Sequence, residues 1–328
     1  MATGLLPLRL LQLGFEATAG TLVPATKKVI GSAGVKPIIE WDREDFPRGI
    51  RVPNNEITAV MKGSEITVEC DLSYEQLQWP LHSGLGTSAA VGTGPYVYTF
   101  ANAVSPTLKS ITAEFVVDDG STKHYQREFG YCLTSQFQIS IVRNQMAKLS
   151  WSMFGRAEQT STVTGSLTAL TLERIPSNLF KVWIDDTWAN LGTTQKTATL
   201  REATLTVPTG VAPEHTLDGR TDLDFVQPMY QQSNPTLELT MLHNASTATE
   251  VGNWRTGTIR FIRLKADNGA AAGANRALSI DVAVRLLSWE FSDEDAQEIV
   301  TANWEVVYDA TGAKSIEIVL TNGLSALT

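Results

Sequence analysis

The 328-residue chain predicts a mainly β protein built as two tandem antiparallel domains, each with a short flanking helix. Three observations predict this. Hydrophobic residues make up 43% and charged residues only 19%, with abundant Ser, Thr, Ala and Val. That balance suits strands with one buried and one wet face. Several stretches alternate apolar and polar residues with period two. The third observation is a repeat. SEITVECDLSYEQL around Glu65 is echoed by TLELTMLHNASTATEV around Glu238. DDGSTKHY from Asp118 is echoed by DNGAAAG from Asp267, and MAKLSWSMF ending at Phe154 by IVTANWEVV ending at Val307. Three matches in one order, at a drifting offset, indicate a duplicated domain with insertions rather than a solenoid. The halves are 1–160 and 161–328, and Glu65 and Trp151 are expected to correspond to Glu238 and Trp304.

The elements follow in order. Residues 5–30 read as a strand, a Gly/Thr-rich turn and a second extended piece. Pro37–Lys62 combines Pro, Gly, clustered charge and two aromatics, and is expected to be an extended loop. It is either a solvated loop or an arm that docks on a neighbouring subunit through Trp41, Asp42, Arg43, Phe46 and Arg48, since interfaces concentrate aromatics. In 65–71, Ile66, Val68 and Cys70 face one way and Glu65, Thr67 and Glu69 the other. A short helix follows, with Ser73 as its cap, Gln76 at the capping-box position and Gly84-Leu85-Gly86 as its stop. Two hairpins complete the first module. Asp118-Asp119-Gly120 turns the first, and strands 133–142 and 147–153 form the second. Gly155–Gly165 reads as a linker.

In the second half, Leu179–Leu191 is expected to form a tight hairpin about Asp185-Asp186. A strand at 203–207 and a Pro/Gly/acidic loop at 208–224 come next. Strand 237–242, a weak helix near 248–254, strand 259–264 and a hairpin across 278–307 repeat the first module.

Signatures of chemistry are missing from the sequence. His82, His124, His215 and His243 lie in no HExxH pattern and share no zinc-ligand spacing. There is no GxSxG elbow and no phosphate loop. Asp185-Asp186 and Asp293-Glu294-Asp295 fall at expected turns. The reading is therefore not an enzyme, with no catalytic residue, metal or cofactor assigned. His82 ends the short helix, where a positive charge favours the C-terminus. Cys70 and Cys132 sit in apolar alternation as buried thiols, with no disulfide framework. The net charge of −9 and the lack of a Lys/Arg run disfavour stable DNA binding through phosphate neutralisation. The apolar stretch near the N-terminus lacks a basic lead and is interrupted by Arg9, against a secretory signal. No stretch reaches the length of a membrane helix.

Gly14-Phe15-Glu16-Ala17-Thr18-Ala19-Gly20-Thr21, continuing to Thr26, resembles the opening of tail tube proteins of long-tailed, siphovirus-like phages. The GSEITVE stretch with Tyr74-Glu75-Gln76-Leu77 resembles the same family. So does Phe129-Gly130-Tyr131-Cys132-Leu133 leading into strands 137–142 and 148–155. The resemblance implies tail-tube-type β-sandwich or half-barrel domains. It also implies rings that stack into a hollow tube, with the inner sheets of neighbours joined into a continuous β-barrel. In such a virion tail, assembled in the host cytoplasm, DNA and the tape-measure protein occupy the lumen. Tail-tip and terminator proteins are further implied partners. A duplicated chain is expected to close the ring as a trimer with pseudo-six-fold symmetry. Glu65, Glu69 and Glu238 are the candidate lumen acids, which repel phosphate rather than bind it; the alternative is that they face the exterior or a neighbour. A competing reading is a carbohydrate-binding β-sandwich adhesin using Trp183, Trp188, Trp254 and Trp289 as stacking platforms.

Overall fold

The computed structural model describes residues 8–43, 57–102, 106–118, 123–271 and 273–327. Strands β1 (Leu10–Phe15), β2 (Lys27–Lys28), β3 (Ser32–Arg43) and β4 (Ile57–Asp71) lead into helix α1 (Gln78–Gly84). Strands β5 (Tyr96–Ala101), β6 (Ile111–Asp118), β7 (Lys123–Val142), β8 (Lys148–Gly155) and β9 (Gln159–Thr160) follow. Then come β10 (Phe180–Asp185), β11 (Leu200–Pro208), β12 (Val211–Glu214), β13 (Gln227–Tyr230), β14 (Thr236–Leu242) and helix α2 (Ala245–Thr256). Strands β15 (Arg260–Asp267), β16 (Ala277–Glu294), β17 (Gln297–Val306) and β18 (Ile316–Asn322) end the chain.

The two halves pair their strands in the same order. The first runs β1-β6-β7-β8-β4-β3. The second runs β10-β15-β16-β17-β14-β11. All these ladders are antiparallel. The helices occupy matching places: α1 packs on β7, α2 on β16. Short β9 joins β7 after β8, as β18 joins β16 after β17. The halves meet at two ladders: β18 lies antiparallel to β5, with Glu317 opposite Ala101 and Asn322 opposite Tyr96, and β11 lies antiparallel to the second half of β7, with Glu202 opposite Val142 and Pro208 opposite Gln136. Eight strands of the large sheet run on in the order β3-β4-β8-β7-β11-β14-β17-β16; among the described residues the outer edges of this run are free at β3 and at 288–294 of β16, while the earlier part of β16 pairs with β15 and β18.

One face of that sheet is dry. Ile66, Val68, Phe137, Ile139, Trp151, Leu205, Leu239, Ala302 and Trp304 are all buried in one contiguous core that runs through both halves. Burying a side chain of this size contributes about 1.5–3 kcal/mol, and the alternation of the strands delivers it at every second residue.

Local chemistry sets the element ends. Ser73 Oγ accepts from Gln76 N at 3.1 Å, capping the turn that enters α1. Gln76 does not close a capping box. Its amide holds the backbone of Ile30 instead, accepting from N at 2.7 Å and donating to O at 3.1 Å. In α2 the reciprocal cap forms: Asn244 Oδ1 accepts from Thr247 N and Thr247 Oγ1 accepts from Asn244 N. Cys70 and Cys132 are free and buried, and burial pushes the Cys70 thiol up to about 12.

Four expectations need correction. The segment 37–62 begins and ends as strand: Pro37 pairs with Ser64 and Arg43 with Ile57, so its ends extend a long hairpin. The apolar spacing of that hairpin is masked by Pro37 and by the Glu40/Trp41 irregularity. No tight hairpin forms about Asp185-Asp186. The chain returns beside β10 only at 194–196, where Gln195 bridges Trp183 and Ile184 N donates to Thr194 O at 3.3 Å; the full-length partner of β10 is the distant β15, and Asp185 folds the intervening turn by accepting from Gly192 N, Thr193 N and Oγ1, and Thr194 N. His82 is buried rather than a charged cap. Desolvation and the nearby Lys109 lower its pKa to about 4, so the ring among Phe15, Tyr98 and Phe100 is neutral. The fourth concerns the repeat register. Ser152 pairs with Gln136 just beyond a bulge in β7, and Asn303 with Ser288 just beyond a bulge in β16. Since Thr67 faces Ser152 and Glu238 faces Asn303, Glu238 corresponds to Thr67 and Trp304 to Met153. The shift is two residues, which leaves every side chain on its face.

Candidate functional site

The wet face of the eight-strand sheet is where the candidate acids lie. Glu65 and Glu69 on β4 and Glu238 on β14 are exposed and share this face. Alternation puts them there, because each flanks the buried residues Ile66, Val68, Leu237 and Leu239. Four strand spacings separate β4 from β14, roughly 19 Å across the sheet. Ser150, Ser152, Gln136, Gln138, Thr204, Thr206, Asn303 and Ser288 carpet the ground between and beside them by cross-strand register.

Three further acids belong to this face and escaped the sequence reading: Glu202, Glu290 and Glu305. The alternation of Glu202, Thr204 and Thr206 about Ala203, Leu205 and Val207 was the available signal. Cations lie among them too. Lys148 is paired with Asp71 at 2.6 Å, Lys36 stands directly opposite Glu65 and Arg285 directly opposite Glu305. The surface is therefore hydroxyl- and amide-rich with an excess of carboxylate, a composition that repels phosphate and offers it few donors.

The candidate contact segment is partly described. Trp41 is 54% exposed, and Asp42 and Arg43 beside it are exposed at the far end of β3. Phe46 and Arg48 lie outside the described residues. Ile39, Ile57 and Val60 add exposed apolar surface to the same hairpin. The 208–224 segment departs from the sheet as the hairpin β12–β13 and returns against it, with Lys62 N donating to Leu223 O at 3.0 Å and Ala157 N to Asp224 Oδ1 at 2.7 Å. It lies between β11 and β14 as 44–56 lies between β3 and β4.

No three His, Cys, Asp or Glu side chains come together as a metal set among the described residues. The acids at 293–295 are engaged elsewhere. Glu294 and Asp295 each meet Arg143 at 2.7 Å, and Glu294 also meets Arg201. Those arginines hold both carboxylates below their usual range. Trp254 and Trp289 pack edge to face on each other, and Trp188 packs on Phe261, rather than presenting parallel plates.

The Gly14–Thr26 stretch has a compact explanation. Gly14 lies so close to the neighbouring chain that a Cβ there would stand 2.7 Å from Pro24 O. Gly20 takes a left-handed φ of +77°, open to Gly at little cost. Between them the buried Glu16 carboxylate accepts from Gly20 N, Ser110 Oγ, Thr112 Oγ1 and Tyr131 N, tying the turn to β6 and β7. Thr26 Oγ1 closes the loop onto Leu13 O at 3.4 Å. A profile of the family described as phage tail tube protein matches residues 8–285, which include this turn and most of both halves. The chain belongs to the phage tail tube protein family. The mainly β architecture, with its large antiparallel sheet, is that of this family. No curated protein matches the sequence.

Proposed function

We propose that this tail tube family member polymerises into closed rings, that the rings stack into the tail tube of a virion, and that the wet face of the eight-strand sheet lines the conduit for DNA. The observation that carries the proposal is the sheet itself: one face packed, one face polar and acidic, and both edges open. An open sheet of this size is a hazard unless its edges are met. Closing it end to end removes the edges and encloses the acidic face.

Each half contributes four strands to the sheet, so each is one tube domain, 1–160 and 161–328. Three chains then supply six such units and twenty-four strands with pseudo-six-fold symmetry. Barrels of 16–18 strands already leave an aqueous channel, and diameter grows with strand number. A passage for duplex DNA and for a tape-measure protein fits this scale. Glu65, Glu69 and Glu238 face the lumen and keep phosphate from adhering. Tail-tip and terminator proteins cap the two ends, and assembly takes place in the host cytoplasm. The protein carries no catalytic role in this reading.

Electron microscopy of the purified chain tests it. Hollow tubes with three chains per ring are the expected outcome; discrete globules, or six chains per ring, overturn it.

A further inference from the structure

Resting on that reading, the internal joint tells how one chain meets the next. Within the chain, β11 adds to the second half of β7, Thr204 facing Ser140 and Thr206 facing Gln138. Its repeat counterpart β3 pairs only with β4 among the described residues. The counterpart of the β7 acceptor is β16 beyond its bulge, and there residues 288–294 pair only with β17. The chain thus carries one joint made and the two halves of a second joint unmade.

Register follows by matching the repeats. Thr204 and Gly34 correspond, because they face the corresponding residues Glu238 and Thr67. Ser140 and Ser292 correspond, counted from the two bulges. We infer that β3 of one chain adds antiparallel to residues 288–294 of β16 of a second copy, with Gly34 opposite Ser292, Val35 opposite Phe291, Lys36 opposite Glu290 and Pro37 opposite Trp289.

The side chains agree with this register, though the register was derived from backbone pairing alone. Val35, Pro37 and Ile39 lie on the core side of β3 and meet Phe291, Trp289 and Leu287, which line the core side of β16. Leu287 is 52% exposed, Phe291 43% and Ile39 45% in the single chain. On the wet side, Lys36 meets Glu290. It already faces Glu65 within its own chain, so the joint sets one ammonium between two carboxylates. A register shift of one residue would put Lys36 against Trp289 and flip the apolar set to the lumen.

The backbone shows the same readiness. In the internal joint Thr209 N donates to Ser135 O at 2.9 Å. The corresponding carbonyl of Leu287 is met by the Trp254 indole N–H at 3.1 Å, and the Ala33 carbonyl by Arg9 at 3.3 Å. Side chains cover carbonyls that a neighbouring strand occupies in the joint already made. Pro37 brings no N–H, so one rung of the ladder is weakened, a common guard against indiscriminate edge pairing.

Cysteine cross-linking of the full-length chain tests the joint. The native thiols are buried and free, so they stay out of the reaction. Directly opposite residues in a ladder lie within disulfide reach, whereas a partner two residues further along does not. The variant Val35→Cys with Phe291→Cys is expected to form a covalent ladder of chains on oxidation of assembled tubes. Val35→Cys with Asp293→Cys is expected to cross-link many-fold less. Glu290→Lys should lower ring assembly several-fold while leaving the circular dichroism of the single chain unchanged, and adding Lys36→Glu should recover part of the loss. Tubes that form normally while the first pair stays reduced, or while the shifted pair links equally well, overturn the joint and spare the tube. A wild-type chain that forms no tubes overturns the tube reading itself.

Discussion

Ser135 and Leu287 hold the same place in the two halves: each is the extra residue of a β-bulge, one in β7 opposite Met153 and Ser152, the other in β16 opposite Trp304 and Asn303. Both bulges re-phase their strand. Thr134 and Leu286 are the last buried residues before them, and Phe137 and Trp289 resume the core side after them. This re-phasing lets β7 change neighbours, β6 before the bulge and β11 after it, whereas β16 pairs with β15 and β18 before its bulge and, among the described residues, keeps only β17 beyond it. Bulges at such corners bend and twist the strand.

Charge on the wet face is the first feature to test. Replacing Glu69 and Glu238 together by Lys plants two cations in the proposed lumen, where they can hold phosphate. Tubes should still assemble, because both side chains are exposed. DNA ejection from the phage should slow and become more salt-dependent. Unchanged ejection kinetics would remove these residues from the conduit.

The Glu16 turn is the second. Substitution by Ala leaves the N–H groups of Gly20 and Tyr131 and the hydroxyls of Ser110 and Thr112 without their acceptor. An unsatisfied buried donor costs about 1–3 kcal/mol. Glu16→Ala is therefore expected to lower stability by about 3 kcal/mol, measured by urea unfolding, with Glu16→Gln intermediate.

His82 makes the fold sensitive to acid. Its folded pKa is about 4, against an ordinary value of 6.5. A depressed histidine binds its proton in the unfolded chain first, so stability rises with pH across that window. The contribution is complete above about pH 6.5 and is lost as pH falls toward 4, up to about 3 kcal/mol. The slope of unfolding free energy between pH 4 and 6.5 should flatten in His82→Gln; an unaltered slope would show that other groups govern it.

Trp304 is a core anchor, 1% exposed and set between Leu237 and Leu286 on the adjacent strands. Trp304→Ala should cost about 3–5 kcal/mol. Met153, its counterpart in the first half, is also fully buried. Because the core is contiguous, thermal unfolding of either variant should remain a single transition by circular dichroism.

Much of this was legible in the residues. Ile66, Val68 and Cys70 announced their strand by period two alone, and the echo at Glu238 announced its partner. What escaped has physical causes. A period-two pattern looks the same after a shift of two residues, so composition and alternation do not distinguish Glu65 from Thr67 as the match of Glu238; only the ladder fixes the register. The reversal at Asp185 is wider than the tight hairpin expected, because the Asp185 carboxylate gathers the donors of Gly192, Thr193 and Thr194 before the chain returns to Trp183 at Gln195. Alternation alone shows that Glu202 lies on a wet face; that Glu202, Glu290 and Glu305 share the face of Glu238 is revealed only by the ladders of β14 with β11 and β17, and of β17 with β16. His82 was misjudged because a helix C-terminus says nothing of the aromatic rings that enclose it.

The covalent connection between β9 and β10 has a kinetic meaning. In a ring of three such chains, every second seam is formed within one polypeptide, at an effective concentration in the millimolar range set by its tether rather than by the protein in solution. Only alternate seams are subject to dilution. A ring of six separate subunits must find six partners; the proposed ring of three chains need find only three, with the internal seam in place before the first encounter.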